Sequence, residues 1–525
     1  MSAWGISNAN NINNASNNNN KNSCQSLLDK VEQNDSQLQE LFVLPMKTFG
    51  GPEVNRLSDT LKRGKNTYLT RISASGHAVP NESLYNLGMA LATMMPKDDD
   101  TAMNAATATT TTNSVTSLAI GDSSMGHTGI LAFTKGIMEG GGQTMLEEID
   151  FSYKGFGYSG LELILSCFTK RSCPNLRYLN VRRNENIGNE TTTTTWRVND
   201  DNNSTIMRLS FASVSHVEEL DLSHCQLTGD FLIQFFGCLK STEEPSSSSS
   251  SSTVSSSSSS SSLNIKKLHL QDNPFQGKGF RALYPLLFAS PLIELNISNC
   301  EIGDTALELL AANSTLLSTT TTTSLQKLDL SNNGITAAGA VAYLTRVTID
   351  PLLSIPLLNL VELNLAGNPL GKEGVTILAT ALHEYPNGTL KKLDLTNTNC
   401  GIQGAKDIIT RTKLESLHLF NNALGSDGFI ALAPTLRGGH ASLEQLDLGG
   451  NGANQASVVA LLSALLETNP DDEEKQMITK NALKVIVVGA NESGDAVEQI
   501  VKQIKEVHPT LDIARDKKAQ RPSQE

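Results

Sequence analysis

Residues 325–335 read Leu325-Gln326-Lys327-Leu328-Asp329-Leu330-Ser331-Asn332-Asn333-Gly334-Ile335. Leu328 and Leu330 alternate with polar neighbours, as a half-buried strand requires, and the Asn-Gly that follows marks a turn. On either side of this stretch the same pattern, L-x-x-L-x-L-x-x-N/C-x-L, begins at Leu176, Val217, Ile265, Leu292, Leu360, Leu390, Leu414, Leu443 and Leu483. In these ten units the ninth position is Asn184, Cys225, Asn273, Cys300, Asn333, Asn368, Asn422, Asn451 or Asn491, and only Thr398 departs. Four looser copies start at Leu38, Leu69, Val115 and Leu146; they keep the apolar spacing but place Met46, His77, Ser123 and Lys154 at the turn. Terminal repeats are expected to be atypical because they cap a stack.

The ninth residue has a mechanical role. After each strand the backbone turns inward and leaves buried N–H and C=O groups without ladder partners. An Asn amide or a Cys thiol is small enough to sit inside and bond them. A Gly-containing bend and helical spacing follow, as in Gly303 to Leu310 and Gly425 to Leu436, so a unit reads strand, turn, helix in 24 to 35 residues. This resembles the ribonuclease-inhibitor type of leucine-rich repeat. The resemblance covers roughly residues 26–513 and implies an α/β right-handed solenoid of about 14 repeats. Parallel strands stack at ~4.8 Å and helices at ~10 Å. The mismatch predicts a horseshoe with strands on the concave face and helices on the convex one.

Residues 1–25 and 514–525 read as disordered tails, the first Asn-rich over 7–22. Low-complexity insertions stretch the repeats at 98–114, 190–204, 241–262 and 314–324, where Ser and Thr tracts cannot bury enough apolar surface to order themselves. The net charge of −13 is spread along the chain, with one short acidic run, Asp471 to Glu474. It lacks the basic stripe that nucleic acid or an anionic membrane would need. Seven scattered cysteines, an N-terminus without an apolar stretch and no long apolar run predict a reduced, cytoplasmic setting, the nucleus not excepted. Cys225 and Cys300, on the ninth position, are expected as buried thiols.

Side-chain alternation points positions 3, 5 and 7 of each unit into the concavity. Position 5 is a polar column (Asp150, Asn180, Asp221, His269, Asn296, Asp329, Asn364, Asp394, His418, Asp447). Position 3 alternates in sign through Glu219, Lys267, Glu294, Lys327, Glu362 and Lys392, which predicts a cross-strand ladder. Position 7 is mostly small, with Arg182, Gln271 and Phe420 as exceptions. Tyr and Arg are enriched at interface hot spots. Tyr153, Tyr178, Arg182 and Arg183 therefore form the first candidate binding patch, and His418 with Phe420 the second.

No nucleotide-binding loop, metal-ligand spacing or nucleophile arrangement is present, so no cofactor, metal or catalytic residue is predicted. His269 and His418, five repeats apart, would lie roughly 24 Å from one another. The expectation is a non-catalytic, monomeric scaffold or regulator that binds another protein, and neither nucleic acid nor membrane. The alternative is a GTPase activator resembling the Ran GTPase-activating proteins. That family typically ends in a strongly acidic tail, whereas residues 515–525 are RDKKAQRPSQE. The ribonuclease inhibitors themselves are Cys-rich, and this chain is not.

Overall fold

The computed structural model describes residues 23–64, 66–94, 114–189, 214–236, 264–283, 286–287, 291–305, 307–308, 324–342, 360–384, 389–437, 440–467 and 482–515. The Ser and Thr tracts, residues 7–22 and Asp471 to Glu474 lie outside the described residues. The chain divides into two compact units, one ending at Ile293 and the other beginning at Glu294.

In the N-terminal unit, β1 (Glu40–Phe42), β2 (Arg71–Ser75), β4 (Ser117–Gly121), β6 (Glu148–Asp150), β7 (Tyr178–Asn180), β8 (Glu219–Asp221) and β9 (Lys267–His269) pair in that order, every pair parallel. A separate antiparallel pair, β3 (Ala92–Met94) with β5 (Gly142–Thr144), stands outside the repeat pattern. The C-terminal unit continues the pattern with β10 (Glu294–Asn296), β11 (Lys327–Asp329), β12 (Glu362–Asn364), β13 (Lys392–Asp394), β14 (Ser416–His418), β15 (Gln445–Asp447), β16 (Val485–Val487) and β17 (Asp512–Ala514), again parallel. The register sets the fourth-position residues side by side: Leu328 opposite Leu363, then Leu393, Leu417, Leu446 and Ile486. All are buried, so one apolar row seals the strands from within.

Helices follow the strands, among them Asn81–Leu91, Gly126–Glu139, Tyr158–Cys167, Gly371–Glu384, Gly401–Arg411 and Asp495–Val507. In the last, Val497, Ile500, Val501 and Ile504 form the buried face, at the spacing a one-sided helix demands. The helices Asn81–Leu91 and Gly126–Glu139 approach closely through glycine. A methyl on Gly88 would run into the carbonyl oxygen of Phe133, and one on Gly136 into that of Tyr85.

The turns are held by a ladder of asparagines. Asn333 Nδ2 donates to Leu330 O in its own repeat at 2.9 Å and to Ile297 O in the preceding one at 2.8 Å, while its Oδ1 accepts the N–H of Cys300 at 2.9 Å. Asn184, Asn273, Asn368, Asn451 and Asn491 repeat the arrangement. Cys225 fills the site with a thiol that donates to Val181 O at 3.3 Å, and burial pushes that thiol up to about 12. Thr398 substitutes for the asparagine only in part, since its hydroxyl bonds Leu395 O at 2.8 Å within its own repeat. In the looser repeats, other side chains reach the same kind of carbonyl. His77 Nε2 lies 3.3 Å from Val43 O, and the buried Lys154 ammonium donates to Gly121 O at 2.9 Å and Ser75 Oγ at 3.2 Å.

Three boundaries differ from the sequence reading. Cys24 is already buried, its thiol bonded to Thr48 O, and a helix starts at Gln25. A further parallel strand, β17, pairs with β16 and ends at Ala514. The sequence carries no Asn at the ninth position after it, so the repeat pattern does not reach it. Most strands are three residues long and end at position 5, so Tyr153, Arg182 and Arg183 are turn residues rather than strand residues.

Candidate partner-binding face

The polar column at position 5 is occupied with capping. Asp221 Oδ1 accepts the N–H of Ser223 at 2.9 Å, Asp329 Oδ1 that of Ser331 at 2.9 Å and Asp394 Oδ1 that of Thr396 at 2.8 Å. A short acidic or amide side chain bonding two residues ahead fixes the turn. Position 3 forms ion pairs within each unit: Lys267 with Glu219 at 3.1 Å, and Glu362 with Lys392 at 2.8 Å and Lys327 at 3.5 Å. Burial pushes the Glu219 carboxyl up, but hydrogen bonds from His269 and Lys267 outweigh it and hold the group down at about 2. Exposed pairs of this kind contribute only about 0.2–1 kcal/mol each. These two rows are largely committed to holding the sheet together.

The turn row in the N-terminal unit differs. In the four repeats from Leu146 to Ile265 the eighth residue carries a left-handed backbone: Tyr153 (φ 57°), Arg183 (φ 58°), His224 (φ 55°) and Asp272 (φ 60°). Its N–H donates to the seventh residue of the following repeat, Tyr153 to Arg182 O at 2.8 Å, Arg183 to Ser223 O at 2.9 Å and His224 to Gln271 O at 2.9 Å. This lattice brings Tyr153, Arg182, Arg183, His224 and Asp272 onto one edge. Tyr153 is 62% exposed, and Arg183 is exposed beside it.

Arg182 is half-buried. Its Nη2 lies 3.2 Å from His224 Nε2, and the same imidazole nitrogen lies 2.9 Å from Asp272 Oδ2. Burial, aided by Arg182 and Arg183 and opposed by Asp272, pushes the His224 pKa down, so its ring is neutral at pH 7. One nitrogen holds either a proton or a lone pair and serves only one of two such neighbours. Arg182 and Asp272 therefore compete for the same imidazole nitrogen.

Of the residues singled out in the sequence, Tyr153, Arg182 and Arg183 come together. Tyr178 sits at the start of β7, on the row between Glu148 and Glu219, apart from the turn edge. His418 lies with Nε2 3.3 Å from Ser416 Oγ and Nδ1 3.9 Å from Asp447 Oδ2. The Phe420 ring covers the backbone of Gly449 and Gly450, where any Cβ would stand 2.9 Å from it. That is a packing role within its own unit. Sequence reasoning missed the roles of His224 and Asp272. The signal was the eighth position, which strand alternation would have turned inward had the strands reached that far.

The leucine-rich-repeat family ("Leucine Rich repeat") matches residues 172–190, 215–230, 289–311, 322–342, 357–379 and 411–433. The chain is 29% identical over 193 residues to a ribonuclease inhibitor of Mus musculus, covering 36% of this chain and 40% of that protein. It is 30% identical over 213 residues to a ribonuclease inhibitor of Sus scrofa, covering 34% of this chain and 44% of that protein. The chain thus spans less than half the length of these relatives. Among solved structures, an internalin of Listeria monocytogenes aligns with a TM-score of 0.38 at 12% identity, covering 85% of this chain and 92% of that one. No helix among the described residues is long and apolar enough to cross a membrane.

Proposed function

We propose that this chain, a leucine-rich-repeat protein of the ribonuclease-inhibitor-like type, is a non-catalytic scaffold or regulator that docks another protein on the turn edge of its N-terminal unit. Tyr153, Arg182 and Arg183 form the contact, with Tyr178 at its margin. The observation that carries this reading is the choice of residues at a costly backbone position. Left-handed geometry costs a side-chain-bearing residue about 1–2 kcal/mol, and Asn or Gly fills it most cheaply. The C-terminal unit uses Asn299, Asn332, Gly367, Asn397, Asn421 and Gly450 at the equivalent position, with Ala490 the exception. In the N-terminal unit Gly76 fills it once, but Tyr153 and Arg183, with His224 and Asp272, hold it in the four repeats from Leu146 onward. Strain retained at adjoining positions points to a use for the side chains. A pre-ordered edge also loses little entropy on binding.

His418 and Phe420 stay outside the proposed contact because of the packing role of Phe420. We read the protein as a cytoplasmic monomer acting without cofactor, nucleic acid or membrane. Affinity capture from the native cell tests the proposal. The wild-type protein is expected to retain a partner that the Arg182→Glu, Arg183→Glu double variant loses, with folding unchanged. Undiminished capture removes the assignment. Stimulated GTP turnover by a captured small GTPase would establish the Ran-activator-like alternative instead.

A further inference from the structure

The cations on the strand side of the N-terminal unit fall into two groups. Arg71 pairs with Glu148 at 3.3 Å, Lys266 with Glu218 at 3.1 Å and Lys267 with Glu219 at 3.1 Å. Arg177, Arg182 and Arg183 make no ion pair among the described residues. Arg177 and Arg183 are exposed. Arg182 is the more unusual of the three. Its Nη2 shares one imidazole nitrogen with Asp272, and its Nε is sealed from solvent with no acceptor among the described residues. A buried donor left unmade is costly, more so on a charged group. The guanidinium thus keeps one sealed donor unmade, next to an exposed arginine and an exposed tyrosine.

We propose that Arg182 and Arg183 receive the carboxylates of an acidic segment on a partner protein, Tyr153 packing against the segment's apolar atoms. This rests on the reading of the same edge as the docking surface and adds the partner's chemistry to it. Charge complementarity carries the choice: a guanidinium fork meets a carboxylate with two parallel hydrogen bonds, and these arginines have none among the described residues. Turning Arg182 from His224 toward the partner frees its Nε, while His224 keeps its bond to Asp272. A nucleic acid fits less well, because tracking its phosphates needs a run of cations and this edge offers two adjacent arginines.

Fluorescence anisotropy on the full chain at low salt tests this. The probes are a labelled peptide of alternating Glu and Ser, its counterpart with Gln for Glu, and a single-stranded polyuridine of similar length. The wild-type protein is expected to bind the Glu peptide about tenfold or more tightly than the Gln peptide, a difference of about 1.4 kcal/mol. Arg182→Gln with Arg183→Gln should abolish that preference without moving the urea midpoint. Tyr153→Ala should weaken both peptides alike. If Tyr153→Ala weakens binding but the Glu peptide holds no advantage, the docking surface stands and the carboxylate proposal falls. If none of these substitutions matters, or no peptide binds, both fall. Polyuridine bound more tightly than the Glu peptide, through the same arginines, also overturns the proposal.

Discussion

Asn368 Oδ1 accepts the backbone N–H of Asn333 at 2.9 Å, so one rung of the asparagine ladder fastens the backbone of the rung before it. The same oxygen takes the N–H of Ile335 at 3.0 Å, and the amide nitrogen serves Leu330 O and Leu365 O at 2.9 Å each. One side chain thereby satisfies four buried backbone groups in two repeats. Asn368→Ala should cost at least about 3 kcal/mol, since each orphaned group costs about 1–3. Asn368→Thr should cost less, as Thr398 retains a bond within its own repeat. Urea unfolding measures both; a loss under about 1 kcal/mol for alanine would refute the ladder's role.

Lys154 gives a pH dependence. Burial pushes its ammonium down from 10.5 to about 8, against the pull of Asp150 and Asp122. Between those values the unfolded chain keeps the proton and the folded one sheds it, so the unfolded state binds more protons and stability rises with pH. The contribution is complete above 10.5 and is lost as pH falls through about 8. Relative to Lys154→Met, the wild type should gain up to about 1.4 kcal/mol per pH unit across this window. A stability difference that stays flat between about pH 7.5 and pH 10 would contradict it.

Gly136→Ala should destabilise the N-terminal unit by roughly 1–3 kcal/mol, because the added methyl forces apart two helices already in backbone contact. Thermal unfolding reads this directly. An unchanged melting temperature would mean that the helices do not meet at Gly136.

Arg183→Asn separates stability from binding. Asparagine accepts the left-handed backbone more readily, so the variant should be as stable as the wild type or up to about 1 kcal/mol more so. Partner capture should weaken. A variant that loses stability and keeps its partner would show that Arg183 serves the fold.

Much of this was legible in the sequence. Leu328, Leu330 and Asn333 fix strand, core row and turn because burial and backbone satisfaction admit few alternatives there. What escaped has physical reasons. His77 and Lys154 reach ladder-type carbonyls with side chains unlike asparagine, so the repeat pattern shows only degeneracy there. β17 carries no turn residue, and β3 with β5 lies outside the repeat. The candidate site was half visible. Tyr153, Arg182 and Arg183 stood out by type, but the strand period was carried past the strands' ends, hiding His224 and Asp272 in a row where backbone conformation rather than alternation sets direction.

Site-specific photocrosslinking probes the docking edge most directly. A photoreactive phenylalanine analogue replaces Tyr153 in one protein and the exposed Met138, on the helix Gly126–Glu139, in another. Irradiation in the native cell should give a discrete protein adduct from position 153 and none from position 138. Adducts from 138 alone, or none from 153 when the partner is captured, would place the contact elsewhere.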